Sequence, residues 1–515
     1  MAGIWSKMKI EQRLESLRRY VTPALLAAAG VFMITCMALF VSPYIGMADN
    51  GDYFRILYSN GLYFNAPDYD SQYFGYFIKQ YGIFQYYNEN AATLFSSQSV
   101  FIKAAIWLNQ LLYSHEIFDI RFQAAIFLML YTIAVYLLVE SLTWKIASKY
   151  AYPISIIAIF LFGDTAYTAY FNSFFGESVV FIMLIFVFAS GLLIYRNRYN
   201  DYVMMGVLLA SGLLLTTSKQ QNAPLGIILG IFGIFLIFIR KERTYRALMS
   251  STLVLLLLAG IGTYTLIPKE FVNINQYHAM TRGILMGSDD PESTLEKFNM
   301  DKQYAILNKS IYYELYTTVD VDSEILENQF YSKYGFVSIL GYYLTHPSKA
   351  IDMLDLAAKS AFKIRPPAMG NYELSVGKPF RAQTSFFSGY SILKAKMAPK
   401  TFGFVTLWIV LVTGLYMPSF IAAIRAKQIR RMIRFSFIFI MILMGLSGIA
   451  VSIIGAGDAD LAKHEFVFTA VFDLVTFVTV SDAIRRRLWS RQDEDSALLT
   501  SDTGTHVHEG AKVVM

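Results

Sequence analysis

One cysteine, Cys36, occurs among 515 residues, so no disulfide framework is possible and cysteine says nothing about redox compartment. Charge is also scarce, at 16% of the chain against roughly 25% in a soluble domain. No glycine-rich phosphate loop and no G-x-G-x-x-G after a strand is present, which removes the usual nucleotide fingerprints. H-E-x-x-H and C-x-x-C patterns are absent too. The net charge of +6 is no nucleic-acid signal, because the basic residues fall in short clusters between apolar runs. What is plentiful is apolar: 55% hydrophobic and 16% aromatic residues, with a mean hydropathy of +0.43. Those values describe an integral membrane protein.

Apolar runs of spanning length predict ten transmembrane helices, at 24–43, 121–141, 150–168, 177–195, 202–218, 223–239, 247–267, 401–423, 435–455 and 465–482. Lys and Arg gather at the amino end, around 145–149, 196–198, 240–246, 425–434 and 485–491. These are every second connection, so the positive-inside rule puts both termini in the cytoplasm. The first apolar run is about 20 residues, too long for a signal-peptide core, and no small-x-small cleavage site follows it. The chain then divides into a basic cytoplasmic amino end (1–23), a transmembrane core (24–267), an extracytoplasmic α-rich segment (268–400), three further spans (401–482) and a cytoplasmic tail (483–515). The tail is polar and aperiodic from Gln492 onward, as disordered segments are.

The fold class expected is an all-α polytopic membrane protein with two large external segments, 44–120 and 268–400. In the first, Val100, Phe101, Ala104, Trp107, Leu108, Leu111 and Leu112 recur at helical spacing, with Gln98, Lys103, Asn109 and Gln110 opposite. Such a helix either lies on the membrane surface or packs on other protein. In the second, Pro347 opens a helix running to about Ala358.

Chemistry-bearing residues concentrate in the external connections. The first span is followed by Ala48-Asp49-Asn50-Gly51-Asp52-Tyr53-Phe54-Arg55. Two carboxylates and a guanidinium thus lie at the water–lipid boundary; the alternative is an Asn-Gly turn with solvated flanking acids. Asp164 follows Lys149 by about 14 residues, roughly 21 Å of helix, which places it near the outer edge of the hydrocarbon. Ionisable groups there usually face a water-filled cavity. Glu177, in the same connection, either joins that site or caps the dipole of the next helix. Lys219, among hydroxyls and amides up to Asn222, either binds a phosphate or reaches lipid headgroups. The connection 456–465 carries Asp458, Asp460, Lys463, His464 and Glu465 and reads as a solvated loop. Asp473, inside the last span, is expected to face the bundle. With no nucleotide site, external chemistry needs a donor that arrives activated. A sugar on a lipid phosphate is the natural one.

The arrangement resembles the GT-C superfamily, polytopic glycosyltransferases that use polyprenyl-phosphate sugars and carry an acidic motif in the first external loop. Gly51-Asp52-Tyr53 with Arg55 is similar to the Gly-Asp-aromatic pattern of its glucosyltransferase branch, with a shorter spacing to the arginine. Asp164 and Glu177 match its second acidic loop in position. More narrowly, Tyr277-His278-Ala279-Met280, Gly287-Ser288-Asp289-Asp290-Pro291 and Gly370-Asn371-Tyr372-Glu373 look like the bacterial hexose transferases of surface-layer glycan assembly, the WsfD type. The resemblance implies inverting transfer of a hexose to a glycan or lipid-linked acceptor, with Asp52 or Asp49 as base. Lys219, Arg365, Lys463 and His464 are then candidates for the donor phosphate, and Arg55, Asp164, Glu177 and Asn222 for substrate. It implies no metal and no cofactor, and the lipid bilayer rather than nucleic acid as the surroundings. A lipid-linked glycan polymerase or ligase, or a flippase, is the alternative.

Overall fold

A computed structural model describes residues 11–86, 95–314, 316–459 and 461–488. The amino-terminal lysines Lys7 and Lys9, Asp460 and the predicted disordered tail lie outside these described residues.

Ten apolar helices run between the two ends of the bundle: α1 (Pro23–Phe40), α2 (Arg121–Thr143), α3 (Ser148–Phe162), α4 (Glu177–Arg196), α5 (Asp201–Thr216), α6 (Ala223–Phe232, continued as a 3-10 helix over Gly233–Ile239), α7 (Arg243–Thr265), α8 (Phe402–Arg425), α9 (Ile429–Ala456) and α10 (Phe466–Ile484). Not all ten are full spans. By length and composition eight qualify, and α3 makes a ninth if it is joined to the short helices that follow it at a 48° bend. The tenth, α5, has 16 residues and rises roughly 24 Å, short of a hydrocarbon core of about 30 Å. It still carries the chain from end to end. Asp201 at its start pairs with Arg240 at 2.6 Å, and Lys219 just past its end pairs with Glu177 at 2.5 Å.

Local sequence fixes the helix starts. Thr22 Oγ1 accepts the Leu25 amide at 3.2 Å with Pro23 in the first turn, and Asn200 Oδ1 accepts from Tyr202 and Val203. α4 is apolar on every side and wholly buried, with α2 and α5 packed along it. α8 and α7 bury least, and expose Leu407, Val410, Leu411, Val254, Leu255 and Leu258 outward, as lipid-facing helices do.

One closed group of charges lies in the interior. Asp473 of α10 accepts from Lys394 Nζ at 2.6 Å, from the Tyr390 hydroxyl at 2.5 Å and from Tyr167; Asp473, Lys394 and Tyr167 are buried and Tyr390 is half-buried. As expected, Asp473 faces the bundle. This knot fastens the external helix Gly389–Met397 into the membrane part.

The external segments depart from the all-α expectation in one place. A small antiparallel sheet, β1 (Leu62–Tyr63), β2 (Gln80–Ile83) and β3 (Ile117–Asp119), orders the first segment, with Leu62 opposite Ile83 and Gln80 opposite Asp119. The helix Gln98–Leu112 uses both of its faces. Gln98 and Asn109, read as its outer face, are buried, because their amides bind the carbonyls of Phe174, Ser114 and Ile117. Val100, Trp107, Leu111 and Leu112 instead project outward. The helix therefore packs on protein and presents an apolar stripe to its surroundings.

The two external segments are bound to each other through the Gly370-Asn371-Tyr372 stretch. Ala48 N–H donates to the Gly370 carbonyl at 2.9 Å, Gly46 N–H to Asn371 at 3.0 Å, and Phe77 N–H to Tyr372 at 2.9 Å. The Asn371 side chain returns a bond to the Gly46 carbonyl at 2.8 Å. A Cβ at position 370 would fall on the Gly75 carbonyl oxygen, so only glycine allows this approach. Gly370→Ala is expected to destabilise the protein by about 1–3 kcal/mol, as overpacking does. An unfolding midpoint in detergent equal to that of wild type would refute this account of the contact.

Candidate active site

The acidic turn is built around Asp49. Its Oδ1 accepts the backbone amides of Gly51 at 2.8 Å and Tyr53 at 3.2 Å, and its Oδ2 accepts the Tyr69 hydroxyl. Gly51 has φ +103°, and a Cβ there would stand 2.8 Å from the Tyr73 hydroxyl, which itself donates to the Asn50 carbonyl at 2.7 Å. Asn172, reaching over from the α3–α4 connection, donates to the Ile45 carbonyl at 2.8 Å and accepts Met47 N–H on its own carbonyl. Asp49 is thus nearly sealed from solvent. Burial raises its carboxyl above the ordinary range, while the Tyr69, Gly51 and Tyr53 bonds and the Lys463 charge pull the other way.

Asp52 is different. Its side chain keeps 57% of its exposure while pairing with Lys463, whose own side chain keeps 4%. The Lys463 ammonium also lies 4.7 Å over the Phe175 ring. Burial lowers it to about 7, against the pull of Asp49. The connection 456–465, read from sequence as a solvated loop, is therefore part of the interior at Lys463 and Glu465.

Around this pair the predicted residues separate. Lys219 and Glu177 form a 2.5 Å ion pair, with Glu177 in the first turn of α4, so the lysine's charge is already compensated. His464 stands among Lys463, Lys219 and His278. Burial first, then those charges, lowers it to about 3. The lowering favours its neutral form. Arg55 crosses to the second external segment, donating to Glu270 at 2.5 Å and to the Tyr313 hydroxyl at 2.6 Å, over the Phe271 ring at 4.9 Å. It is a strap between segments. Asn222 turns inward and donates to Ser218 at 2.9 Å.

Asp164 lies in the protein interior. It is fully buried at the break after α3, where Oδ1 accepts Ala166 N–H and Oδ2 accepts Ser391 N–H, both at 2.8 Å. A cap needs an acceptor where the helix restarts, and that is the physical reason for a carboxylate here. Arg365 sits in Asp164's field. It donates to Gln383 at 3.1 Å and to the Thr384 carbonyl at 2.7 Å, and burial lowers its guanidinium. These two residues form a second polar group, apart from the Asp52–Lys463 pair.

Three features escaped sequence reading. Tyr69 is one, because 20 residues separate it from the carboxylate it holds. A polar cleft of about 550 Å³, lined by Asp68, Gln72, Lys79, Gln80 and Glu373, is the second. Its volume suits a small-molecule site. The third is Glu465. It is fully buried with neither carboxylate oxygen bonded, and burial alone raises it to about 9. The only clue in the sequence was its place at the mouth of an apolar span. Among the described residues, no three His, Cys, Asp or Glu side chains are grouped to hold a metal ion.

The fold and this site define a polytopic membrane protein with a charged turn at one end of an apolar bundle. A family model described as the YfdI N-terminal transmembrane domain matches residues 8–499. The chain belongs to that family. No curated protein and no solved structure matches it.

Glu465 yields a pH prediction. Its folded pKa lies above the unfolded value of 4.5, so its contribution to stability is complete below about pH 4.5 and is lost as pH rises toward about 9. Glu465→Gln, isosteric and neutral, is expected to flatten the fall of the unfolding midpoint between pH 5 and pH 8 and to unfold at higher temperature than wild type at pH 8. Parallel midpoint curves for the two proteins would show that Glu465 is not held protonated.

Proposed function

We propose that this protein is a membrane glycosyltransferase that moves a hexose from a polyprenyl-phosphate sugar to a glycan or lipid-linked acceptor on the extracytoplasmic face, with inversion and with Asp52 as base. The observation that carries the reading is the pairing of Asp52 with Lys463 at the end of the bundle. A reachable carboxylate and a dry ammonium stand together there.

The chemistry divides between them. The Asp52 carboxylate takes the proton from an acceptor hydroxyl, whose oxygen forms a bond to the anomeric carbon. The bond from that carbon to the phosphate oxygen breaks, and its electron pair leaves on the lipid phosphate. Lys463 meets the charge that develops there, and its buried position strengthens the interaction. Lys219, held by Glu177 beside Gly176, is the second cation of the neighbourhood. The polar cleft of Asp68, Gln72 and Glu373 offers carboxylates and amides for sugar hydroxyls, and it suits the acceptor. Asp49 holds the turn in shape.

The test is transfer by purified protein given a polyprenyl-phosphate hexose and an acceptor. Asp52→Asn is expected to lower kcat by about 10²–10⁴-fold, the usual contribution of a positioned base. Undiminished transfer by that variant removes Asp52 from the mechanism. Lys463 gives an independent readout. Because its ammonium loses its proton near pH 7, KM for the donor is expected to rise as pH increases above that value. In Lys463→Arg, which stays charged, KM should be flat from pH 6 to pH 9. A flat wild-type profile would show that Lys463 does not meet the phosphate.

A further inference from the structure

At the end of the bundle away from the acidic turn, arginines outnumber acids among the described residues of a buried space. Asp482, near the end of α10, accepts from Arg434 Nε at 2.7 Å and Nη2, and from the Tyr416 hydroxyl at 2.7 Å. Arg485 follows one turn later. Its Nη1 donates to the Leu142 carbonyl at 2.9 Å and lies 3.9 Å from Asp482. Arg487 donates to the Tyr195 hydroxyl at 2.8 Å, and Arg196 to the Trp144 carbonyl at 2.5 Å. Glu140 is engaged by Arg198 at 2.7 Å.

The distinctive feature is one edge of Arg485. Its side chain retains 2% of its exposure, yet Nε and Nη2 find no hydrogen-bond partner among the described residues. That edge has a consistent use in this chain. Arg121 grips Asp119 with Nε and Nη2, Arg282 grips Asp458, Arg240 grips Asp201 and Arg434 grips Asp482, each through the same two nitrogens. In Arg485 the identical fork is presented with Arg487, Arg196 and Arg434 all pressing on it electrostatically and only Asp482 opposing them. Burying a guanidinium with two unused donors and three positive neighbours is costly, and an anion with paired oxygens offsets that cost.

We propose that Arg485 is the centre of an anion site that binds a phosphate group through its Nε–Nη2 edge, at the end of the bundle opposite the proposed active site. Planar, bidentate recognition of two oxygens is what this fork does best, and lysine does not reproduce it. Phosphate can come from an anionic lipid headgroup or from a soluble phosphate. The reading uses none of the residues of the acidic turn, so it stands or falls apart from the transferase assignment.

The experiment takes the full chain, delipidated in a neutral detergent, and measures its unfolding midpoint and its bound mass in native mass spectrometry. The probes are short-chain phosphatidylglycerol, short-chain phosphatidylcholine and inorganic phosphate, each at matched ionic strength. Wild type is expected to bind phosphatidylglycerol in preference to phosphatidylcholine, with a rise in midpoint that saturates. Arg485→Gln should weaken that response at least tenfold. Should the glutamine variant misfold, Arg485→Lys, which keeps the charge and loses the fork, should still show at least a tenfold loss. A saturating response to inorganic phosphate alone identifies a soluble phosphate as the ligand, whereas a response only to the lipid identifies the headgroup. The proposal is overturned if wild type responds to neither, if sodium chloride reproduces the response, or if the Arg485 variants respond as wild type does.

Discussion

The carboxylate of Asp49 is dry, and the organisation of the external face follows from what that requires. A buried carboxylate without hydrogen bonds is costly, and three donors converge on this one: the amides of Gly51 and Tyr53 and the phenol of Tyr69. Each donor has its own condition. The amides point inward only because Gly51 takes φ +103°. The phenol arrives because the helix Tyr69–Gln72 lies across the turn. The chain entering the turn is pinned from two further directions, by Asn172 before α4 and by Asn371 of the second external segment. Segments far apart in sequence thus close around a single group, and none of them holds the turn alone.

The same rule governs the membrane part. Asp473 is surrounded by Lys394, Tyr167 and Tyr390, and Asp482 by Arg434 and Tyr416, so each buried charge is matched where it lies. Removing one member of such a group leaves an uncompensated charge, the strongly destabilising case. Groups of this kind explain acids and bases within helices that otherwise read as continuous apolar runs. They also set a standard for the rest of the molecule. Glu465 and Arg485 are buried with polar atoms that no described residue bonds, and departures of that sort gather where proteins bind and react.

The helices were legible in the sequence because their signal is local. Each predicted run has a helix at its place, and the spacing of basic clusters marks their ends. Length misled at α3, where apolar content continues past a real break. Asp164 shows why: its capping bond to Ala166 restarts the helix at an angle inside a run that composition reads as one span. The acidic turn was legible too, since Asp49 and Asp52 are close in sequence and polar among apolar neighbours. Its partners were not. Tyr69 and Asn371 lie 20 and 322 residues from Asp49, and Asn371 reaches the turn through Gly46, 325 residues away. The reading of Gln98 and Asn109 as an outer face failed for a related reason. An amide that satisfies backbone carbonyls belongs inside, and polarity alone does not reveal which carbonyls need it.

This accounting also separates the two aspartates of the turn, of which the sequence favours Asp52 by motif alone. A general base must offer a lone pair to a substrate. Asp49 has one oxygen shared by two amides and the other held by a phenol, so taking a proton would dismantle the turn that positions the site. Asp52 gives its carboxylate to Lys463 and stays open to the surroundings over more than half its area. In the proposed reaction an entering phosphate would compete for the same lysine and draw the ammonium toward itself, releasing the Asp52 oxygen as the acceptor hydroxyl comes within reach. One carboxylate is therefore suited to holding and the other to reacting. What distinguishes them is burial, set by which of the two faces the interior of the turn.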